Sequence, residues 1–337
     1  MAVIKTKEKI MTTVGIIANP ISGKDIRRLV AHGSVFDNQE KVRIVRRLLV
    51  GLDWVGVRKV MFMPDYYAIV QRAHKGVDTG ISLESAPMCA ENIQEDSIKA
   101  ARLMVEAGAG CIFVLGGDGT SRVVAKGAGT VPILPISTGT NNVFPYMIES
   151  TIAGLAGGLV ASGRISTADG CFSTPCIEIL SEDSNVLDIA LVDAAVHTET
   201  FIGSKAIWRI DQISQIVLTQ CRPDSIGLSA IGGQLYTISP KDHQGLHLIL
   251  GDGGQTVAAP IAPGLMQSVP VARQTHLRVG DIVTVQESPC VIALDGEREV
   301  EVRHGRQVSF RFSDAGPQVV DVPHVMALAR QAGLFVQ

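Results

Sequence analysis

A short apolar strand followed at once by a glycine-rich turn is the feature that most limits how this chain can fold. The run Cys111-Ile-Phe-Val-Leu115 has the length of a buried strand, and Gly116-Gly117-Asp118-Gly119-Thr120 follows it directly. A pattern that predicts a short helix over 121–126 comes next. Glycines let the backbone approach a polyphosphate closely, and the N–H groups at a helix start favour an anion. The arrangement predicts a phosphate-binding loop, here called the glycine-rich loop (116–120), at the carboxyl end of a buried strand.

Strands and helices alternate through the first half of the sequence. Apolar runs predict further strands over 13–18, 59–63 and 131–135. The apolar spacing from Asp96 predicts a helix that stops at Gly108. This alternation predicts a parallel sheet with helices on both faces.

The pattern changes after Asn142. One long helix is predicted over 146–162, and the short strand patterns that follow are typical of an antiparallel β-sandwich. The spacing of Ile207, Ile210, Ile213 and Val217 predicts a helix over 200–220 that interrupts these strands, and a last helix is predicted over 322–334. The strands are predicted over 176–180, 188–197, 246–250, 281–286, 290–294, 299–303 and 307–312.

Two polar features of the second half are predicted to be turns. Asp252-Gly253-Gly254 joins two strand patterns and indicates a hairpin turn. His243 and His247 stand four residues apart, but Gly245 lies between them and a strand follows. We therefore expect solvated turn histidines and no metal-binding pair.

These patterns predict an α/β domain joined to an all-β domain. The 337 residues, of which 46% are hydrophobic, supply enough apolar material for two cores. We expect a nucleotide-binding domain over 1–145 and a β-rich substrate domain over 146–315. The segment 316–337 is expected to return to the first domain.

Composition excludes several classes of protein. Thirty Lys and Arg against 33 Asp and Glu give a net charge of −3, which argues against a dedicated nucleic-acid binder. No apolar run approaches the roughly 20 residues of a membrane span, and no signal-peptide pattern opens the chain. The six cysteines are scattered without a Cys-x-x-Cys pair. We expect a cytoplasmic chain with reduced thiols and a small-molecule partner, without nucleic acid or membrane, that forms a homo-oligomer.

Two further loops of small polar residues are predicted to lie beside the glycine-rich loop. Asn19-Pro20-Ile21-Ser22-Gly23-Lys24, the Asn19 loop, follows the first strand, and Ser137-Thr138-Gly139-Thr140-Asn141-Asn142, the Ser137 loop, follows a later one. Loops that leave a parallel sheet after its strands emerge at the same edge, so all three can converge on one ligand. Ordinary turn chemistry is the alternative for each loop taken singly.

Asp118 is an acid in a loop otherwise suited to anions. A base that takes a proton from an attacking hydroxyl, or a magnesium contact, explains this residue better than phosphate binding. The alternative is a carboxylate that merely caps the following helix. Other phosphate motifs fail on spacing, because Ala18 and Asp25 stand where a P-loop needs Gly and Ser or Thr. Gly108-Ala-Gly110 precedes its strand, so a Rossmann fingerprint is absent as well.

The three loops together resemble the superfamily of NAD kinases, diacylglycerol kinases and sphingosine kinases. Within it, residues 19–36 (NPISGKDIRRLVAHGSVF) are most similar to the acetoin-catabolism X proteins, an ATP-NAD-kinase-like branch. Residues 226–233 are similar to a stretch of NAD kinases, and Asp295-Gly296-Glu297 matches the Asp-Gly-Glu of the lipid kinases. The resemblance implies an NAD-kinase-like two-domain fold with ATP in the cleft. It also implies a divalent cation such as Mg²⁺ held mostly through phosphates, and γ-phosphoryl transfer to a hydroxyl.

The same resemblance implies roles for individual residues. Asp118 would orient or deprotonate the acceptor hydroxyl, and Glu297 would be a second catalytic acid from the other domain. The alternative for Glu297 is a charged turn between two strands. The implied nucleotide-binding residues are Asn19, Ser22, Gly23, Lys24, Gly116, Gly117, Gly119, Thr120, Thr138, Gly139, Thr140 and Asn141.

The acceptor side departs from the relatives. Where NAD kinases have an Asn-Glu pair, this chain has Val192 and Asp193, and where lipid kinases have Asn-Asp it has Asn141 and Asn142. We expect Asn142 and Asp193 to lie on the substrate side, with NAD or another small hydroxyl metabolite as acceptor. The alternatives are a nucleotide-binding regulator without catalysis and a diacylglycerol-kinase-like lipid kinase.

Overall fold

The computed structural model describes residues 12–22, 37–198 and 210–336. Strands and helices alternate as far as residue 161, and strands dominate beyond it. The strands are β1 Thr13–Ala18, β2 Lys59–Phe62, β3 Ser82–Ser85, β4 Ala109–Gly116, β5 Ile133–Ser137, β6 Cys171–Ser173, β7 Cys176–Ser181, β8 Val186–Ala190, β9 Asp193–His197, β10 Ile213–Leu218, β11 Gln244–Ala262, β12 Leu265–Arg278, β13 Ile282–Thr284, β14 Cys290–Leu294, β15 Glu297–Val302, β16 Val308–Ser313 and β17 Gln318–Val320. The α-helices are α1 Asn38–Trp54, α2 Ile69–His74, α3 Gln94–Glu106, α4 Asp118–Ala128, α5 Ser150–Ala161, α6 Thr167–Gly170, α7 Leu228–Gly233 and α8 Val322–Gln331.

The first sheet has seven strands in the order β3-β2-β1-β4-β5-β17-β6. Its strand pairs are parallel except for β17 with β6. Alternate residues of the central strands point to opposite faces: Ile16 and Phe113 pack beneath α1 and α5, whereas Ile17 and Val114 pack beneath α3 and α4. The predicted parallel sheet with helices on both faces is therefore confirmed. This sheet and its helices are called the first region.

Helix α5 packs closely on α1 in the first region. A Cβ on Gly51 would lie 2.3 Å from Thr151 O, and a Cβ on Gly154 would lie 2.4 Å from Leu48 O, so the two backbones touch. The helix begins later than position 146 because the Glu149 carboxylate caps it by accepting from Thr151 N at 2.7 Å. We propose that the two regions divide near residue 174 and not at 145, since α5 and β6 belong to the first core.

Two antiparallel sheets form the second region. Their orders are β12-β11-β10-β9-β14-β15 and β13-β16-β7-β8. Ile179 and Phe310 of the smaller sheet pack against Val217 and Ile292 of the larger one, which confirms the predicted all-β sandwich. On its other face the larger sheet packs against α7 through a second apolar cluster.

Three predictions in this region were wrong. A helix was predicted over 200–220, but residues 213–218 form strand β10. Residues 200–209 of that predicted helix lie outside the described part of the chain. Residues 251–254 form a bulge within the long strand β11 and not a hairpin turn, because both Leu250 and Gln255 pair with Val271 of β12. His247 is a buried residue of β11 whose Nε2 lies 3.3 Å from Gln215 Oε1, so it is not a solvated turn histidine.

The chain crosses between the two regions at two adjacent segments. Thr174 N and Thr174 Oγ1 both donate to Pro317 O, at 3.1 and 3.0 Å. After the second crossing, β17 pairs with β5 and α8 packs into the first core through Val325 and Ala329. The loops at the carboxyl edge of the first sheet lie where the second region meets it.

Candidate functional site

The three loops that the sequence singled out lie side by side at the carboxyl edge of the first sheet. Asn19 Nδ2 donates to Thr120 Oγ1 at 3.0 Å, and the hydroxyls of Ser22 and Thr138 are 3.1 Å apart. Thr138 N donates to Gly116 O at 3.2 Å. Side-chain and backbone bonds therefore join the Asn19 loop, the glycine-rich loop and the Ser137 loop into one surface.

Asn19 shapes its own loop. Its Oδ1 accepts from Ile21 N at 2.9 Å and from Ser22 N at 3.3 Å, which is an Asx turn. Because Nδ2 is bonded to Thr120, both polar atoms of the side chain hold the loop in position. Gly23 and Lys24, the remaining predicted nucleotide-binding residues of this loop, lie outside the described residues.

A buried lysine lies beneath the Asn19 loop. Lys41 Nζ, on α1, donates to Asn19 O at 2.8 Å, to Ser22 O at 2.6 Å and to Asn38 Oδ1 at 3.1 Å. The Lys41 side chain has no exposed surface. Sequence reasoning missed this residue, although a lysine within the apolar stripe of a helix is a signal of a buried, paired cation.

Two glycines of the glycine-rich loop are required by contacts within the site. A Cβ on Gly116 would lie 2.4 Å from Thr120 Cβ, and a Cβ on Gly117 would lie 2.7 Å from Asn142 Oδ1. Any larger residue would displace the neighbouring side chain. The absence of side chains also leaves the backbone N–H groups at the start of α4 close to the edge of the sheet.

Asp118 is the first residue of α4, and its carboxylate reaches across to the segment after the Ser137 loop. Oδ1 accepts from Phe144 N at 2.8 Å and from Val143 N at 3.0 Å, and Oδ2 is 3.2 Å from Val143 N. Hydrogen bonds from backbone N–H groups fix an ionised carboxylate in one orientation. These bonds tie the Asp118 carboxylate of the glycine-rich loop to the segment that follows the Ser137 loop.

The Ser137 loop is closed by its own side chains. Asn142 Nδ2 donates to Ser137 Oγ at 2.8 Å and to Gly139 O at 3.3 Å, and Ser137 Oγ donates to Gly139 O at 2.6 Å. Thr140 Oγ1 donates to Asn141 Oδ1 at 3.0 Å on the exposed side of the loop. Asn142, predicted on the substrate side, thus uses its amide nitrogen to hold the loop.

Glu297 approaches the glycine-rich loop from the second region. It opens β15, and its Oε1 lies 3.3 Å from the point at which a Cβ on Gly119 would sit. Its Oε2 accepts from Gln94 Nε2 at 3.3 Å, and Gln94 opens α3 in the first region. Glu297 thus lies between Gly119 and Gln94, and sequence reasoning missed Gln94.

Asp295 binds the backbone of the turn at residues 191–193. Its side chain has no exposed surface, and it accepts from Leu191 N, Val192 N and Asp193 N at 2.7–3.3 Å. Asp295 N in turn donates to Asp193 O at 2.9 Å. Asp193, predicted on the substrate side, is accordingly buried next to Asp295.

Burial dominates the electrostatics of Asp295. Removal from water raises the pKa of its carboxyl, and the Arg122 guanidinium and the three backbone N–H groups oppose that rise. Arg122 Nε lies 3.6 Å from Asp295 Oδ2, and neither side chain is exposed. Arg122 and Asp295 were both absent from the predicted site residues.

Comparisons with known proteins match each half of the chain to a domain. Residues 14–165 match the ATP-NAD kinase N-terminal domain, and residues 175–315 match the C-terminal domain of acetoin catabolism protein X. Acetoin catabolism protein X of Cupriavidus necator is 40% identical over 338 residues, covering 96% of this chain and 93% of that protein.

The chain belongs to the acetoin catabolism protein X family. The resemblance drawn from the three loops is thereby confirmed. The family fold is that of the NAD kinases: the crystal structure of yeast NADH kinase complexed with NADH matches with a TM-score of 0.53, covering 97% of this chain and 89% of that one. At 14% identity this likeness concerns the fold alone.

None of the helices in ranges 12–22, 37–198 and 210–336 is both long and apolar enough to cross a bilayer. Across the same ranges, no three His, Cys, Asp or Glu side chains group together as a metal site.

Proposed function

We propose that this protein is an ATP-dependent kinase of the NAD-kinase-like class, which transfers the γ-phosphoryl group of ATP to a hydroxyl of a small metabolite. One observation supports this most: Asp118 is part of the glycine-rich loop, and the carboxylate of Glu297, from the other region, lies against Gly119 of the same loop. A site of phosphoryl transfer needs a phosphate cradle and an acid that orients the acceptor at the same place. The name of the Cupriavidus necator relative suggests acetoin catabolism as its setting.

The glycine-rich loop fits the phosphates of ATP. Gly117 and Gly119 have no Cβ, and α4 begins at Asp118, so N–H groups and the positive end of the helix lie at the edge of the sheet. The Ser22 and Thr138 hydroxyls, 3.1 Å apart, lie beside this loop and add polar groups to the same surface. Without a group of three metal-ligating side chains in the described ranges, Mg²⁺ would be held mainly through the phosphates of the nucleotide. When bound, Mg²⁺ neutralises charge on the transferring phosphoryl group.

Asp118 and Glu297 supply the acid–base chemistry. Asp118 is held by Val143 N and Phe144 N, so its carboxylate can orient an acceptor hydroxyl and take its proton. A positioned base of this kind contributes about 10²–10⁴ in rate. Glu297 would act from the opposite side of the cleft as the second acid.

A second candidate function, a nucleotide sensor without catalysis, is favoured by the acceptor side. The backbone N–H groups of residues 191–193 are bound to Asp295, where NAD kinases present an Asn-Glu pair. A sensor would bind ATP and become more stable without consuming it. If the protein is a kinase, the same difference from NAD kinases means that its acceptor can be a small hydroxyl metabolite other than NAD.

The test is an acceptor assay with a matched variant. Purified protein is incubated with ATP, Mg²⁺ and NAD, and NADP formation is measured beside Asp118→Asn, which keeps the size of the side chain. NADP from the parent, with at least about 10²-fold less from the variant, supports the kinase and its base. Equal turnover by both removes Asp118 from the mechanism. ATP-dependent thermal stabilisation with no transfer to NAD or other hydroxyl compounds selects the sensor.

A further inference from the structure

A fully buried arginine lies one helical turn after Asp118. Arg122 is on α4, and its side chain has no exposed surface. In an α-helix, residues four positions apart lie on the same face, so Arg122 follows Asp118 on the side of α4 that meets the second region.

Arg122 joins the first region to two carboxylates of the second. Its Nη1 lies 3.2 Å from Asp188 Oδ2 on β8, and its Nε lies 3.6 Å from Asp295 Oδ2. The planar guanidinium can address two carboxylates at fixed angles, which a lysine ammonium cannot do. Asp295 also binds the N–H groups of residues 191–193 and stands two residues before Glu297.

A buried charge at this position needs a reason. Its neighbours Val123 and Val124 are buried and apolar, and a buried ion pair is often no more stabilising than apolar residues of similar volume. The Arg122 charge does fix the positions of Asp188 and Asp295, since both carboxylates must stay within reach of the guanidinium.

We propose that Arg122 is a positioning residue, which holds Glu297 and the 191–193 turn in register with the helix that carries Asp118. The kinetic consequence rests on the proposed kinase function, whereas the ordering of the 191–193 turn does not. The ordering of this turn can therefore be measured in protein without any activity.

The first test is hydrogen exchange in the ligand-free protein. In Arg122→Met the amides of residues 191–193 should exchange at least about tenfold faster, because their acceptor Asp295 has lost its guanidinium. Arg122→Lys should retain part of the protection. Lys126→Met is the matched control: Lys126 Nζ contacts Asp188 from the same helix but is partly exposed, and exchange at 191–193 should not change. Unchanged protection in Arg122→Met would overturn the proposal.

A double variant covers the case in which Arg122→Met does not fold. Arg122→Met combined with Asp295→Asn leaves no unpaired buried charge, so this double variant should fold. Its amides at residues 191–193 should still exchange faster than those of the parent. Parent-like protection in the double variant would contradict the proposal. If the parent shows kinase activity, kcat in Arg122→Met should fall by about 10²-fold, as expected for a small misplacement of reacting groups, while the KM for ATP stays within about twofold. Unchanged kcat with lost protection would overturn the role in catalysis.

Discussion

Gly119 and the Glu297 carboxylate are in close contact across the cleft. The point at which a Cβ on Gly119 would sit is 3.3 Å from Glu297 Oε1, which is tighter than ordinary van der Waals contact. The glycine therefore lets a carboxylate of the second region lie against a loop of the first. The predicted kinase depends on that approach.

Replacing Gly119 by alanine should separate these two groups. The Cβ moves the Glu297 carboxylate by a few tenths of an ångström, so kcat should fall about tenfold or more while the KM for ATP changes little. Steady-state kinetics of Gly119→Ala, of Glu297→Ala and of the double variant test this. If the two residues act through each other, the double variant is no slower than Glu297→Ala alone, and independent, additive losses would contradict the account.

Lys41 should stabilise the fold and the nucleotide site together. Lys41→Met removes the ammonium that donates to the partly buried carbonyls of Asn19 and Ser22, and only Asn19 O keeps another donor, the Ser22 hydroxyl, so the free energy of unfolding should fall by about 1–3 kcal/mol. The thermal stabilisation by ATP should also shrink. Urea unfolding measures the first effect, with Lys59→Met as control, because the partly exposed pair of Lys59 with Glu84 should contribute less than about 1 kcal/mol. Equal losses in both variants would contradict a special role for Lys41.

The six thiols should divide sharply in reactivity. Cys89 is exposed, whereas burial raises the pKa of Cys176 and Cys221 to about 12 and that of Cys290 to about 11. Only the thiolate reacts with alkylating agents, so at pH 8 Cys89 should be modified first in the native protein. Mass spectrometry after brief iodoacetamide treatment identifies the modified residue. Early modification of Cys176 or Cys221 would contradict the described packing.

His247 should make the fold sensitive to mild acid. Burial lowers the pKa of its imidazole below the ordinary 6.5, and nearby Arg273 lowers it further. The unfolded chain then binds a proton that the folded chain does not, so stability is lost as pH falls below 6.5, by at most about 1.4 kcal/mol per pH unit. His247→Asn should flatten this dependence in urea unfolding between pH 7 and 5. His243→Asn, at a partly exposed turn, should retain it, and an unchanged slope in His247→Asn would contradict the assignment.

Local patterns were enough to predict the three loops and the sheet that carries them. A strand that ends in glycine or Asn-Pro can be predicted from the sequence, because the conformation of a turn depends on a few adjacent residues. Strand β10 could not be predicted as a strand from its sequence. It is paired on both sides and largely buried on both faces, so its apolar residues show no period of two.

The charged residues that hold the site together could not be predicted from local patterns. Lys41 and Arg122 occupy inward faces of α1 and α4, and their roles depend on partners far away in the sequence. Asp295 was visible only as part of a motif shared with lipid kinases. That motif indicated the acid Glu297, but not the turn that Asp295 binds.

Titration calorimetry with Mg²⁺ and either ATP or AMP tests the central claim, a phosphate cradle formed by the three loops, most directly. The account predicts one ATP bound per chain and AMP at least about 10²-fold weaker, because the N–H groups near Gly117 and Gly119 bind the phosphates that AMP lacks. Binding of AMP as tight as that of ATP, or no binding of ATP at all, would contradict it.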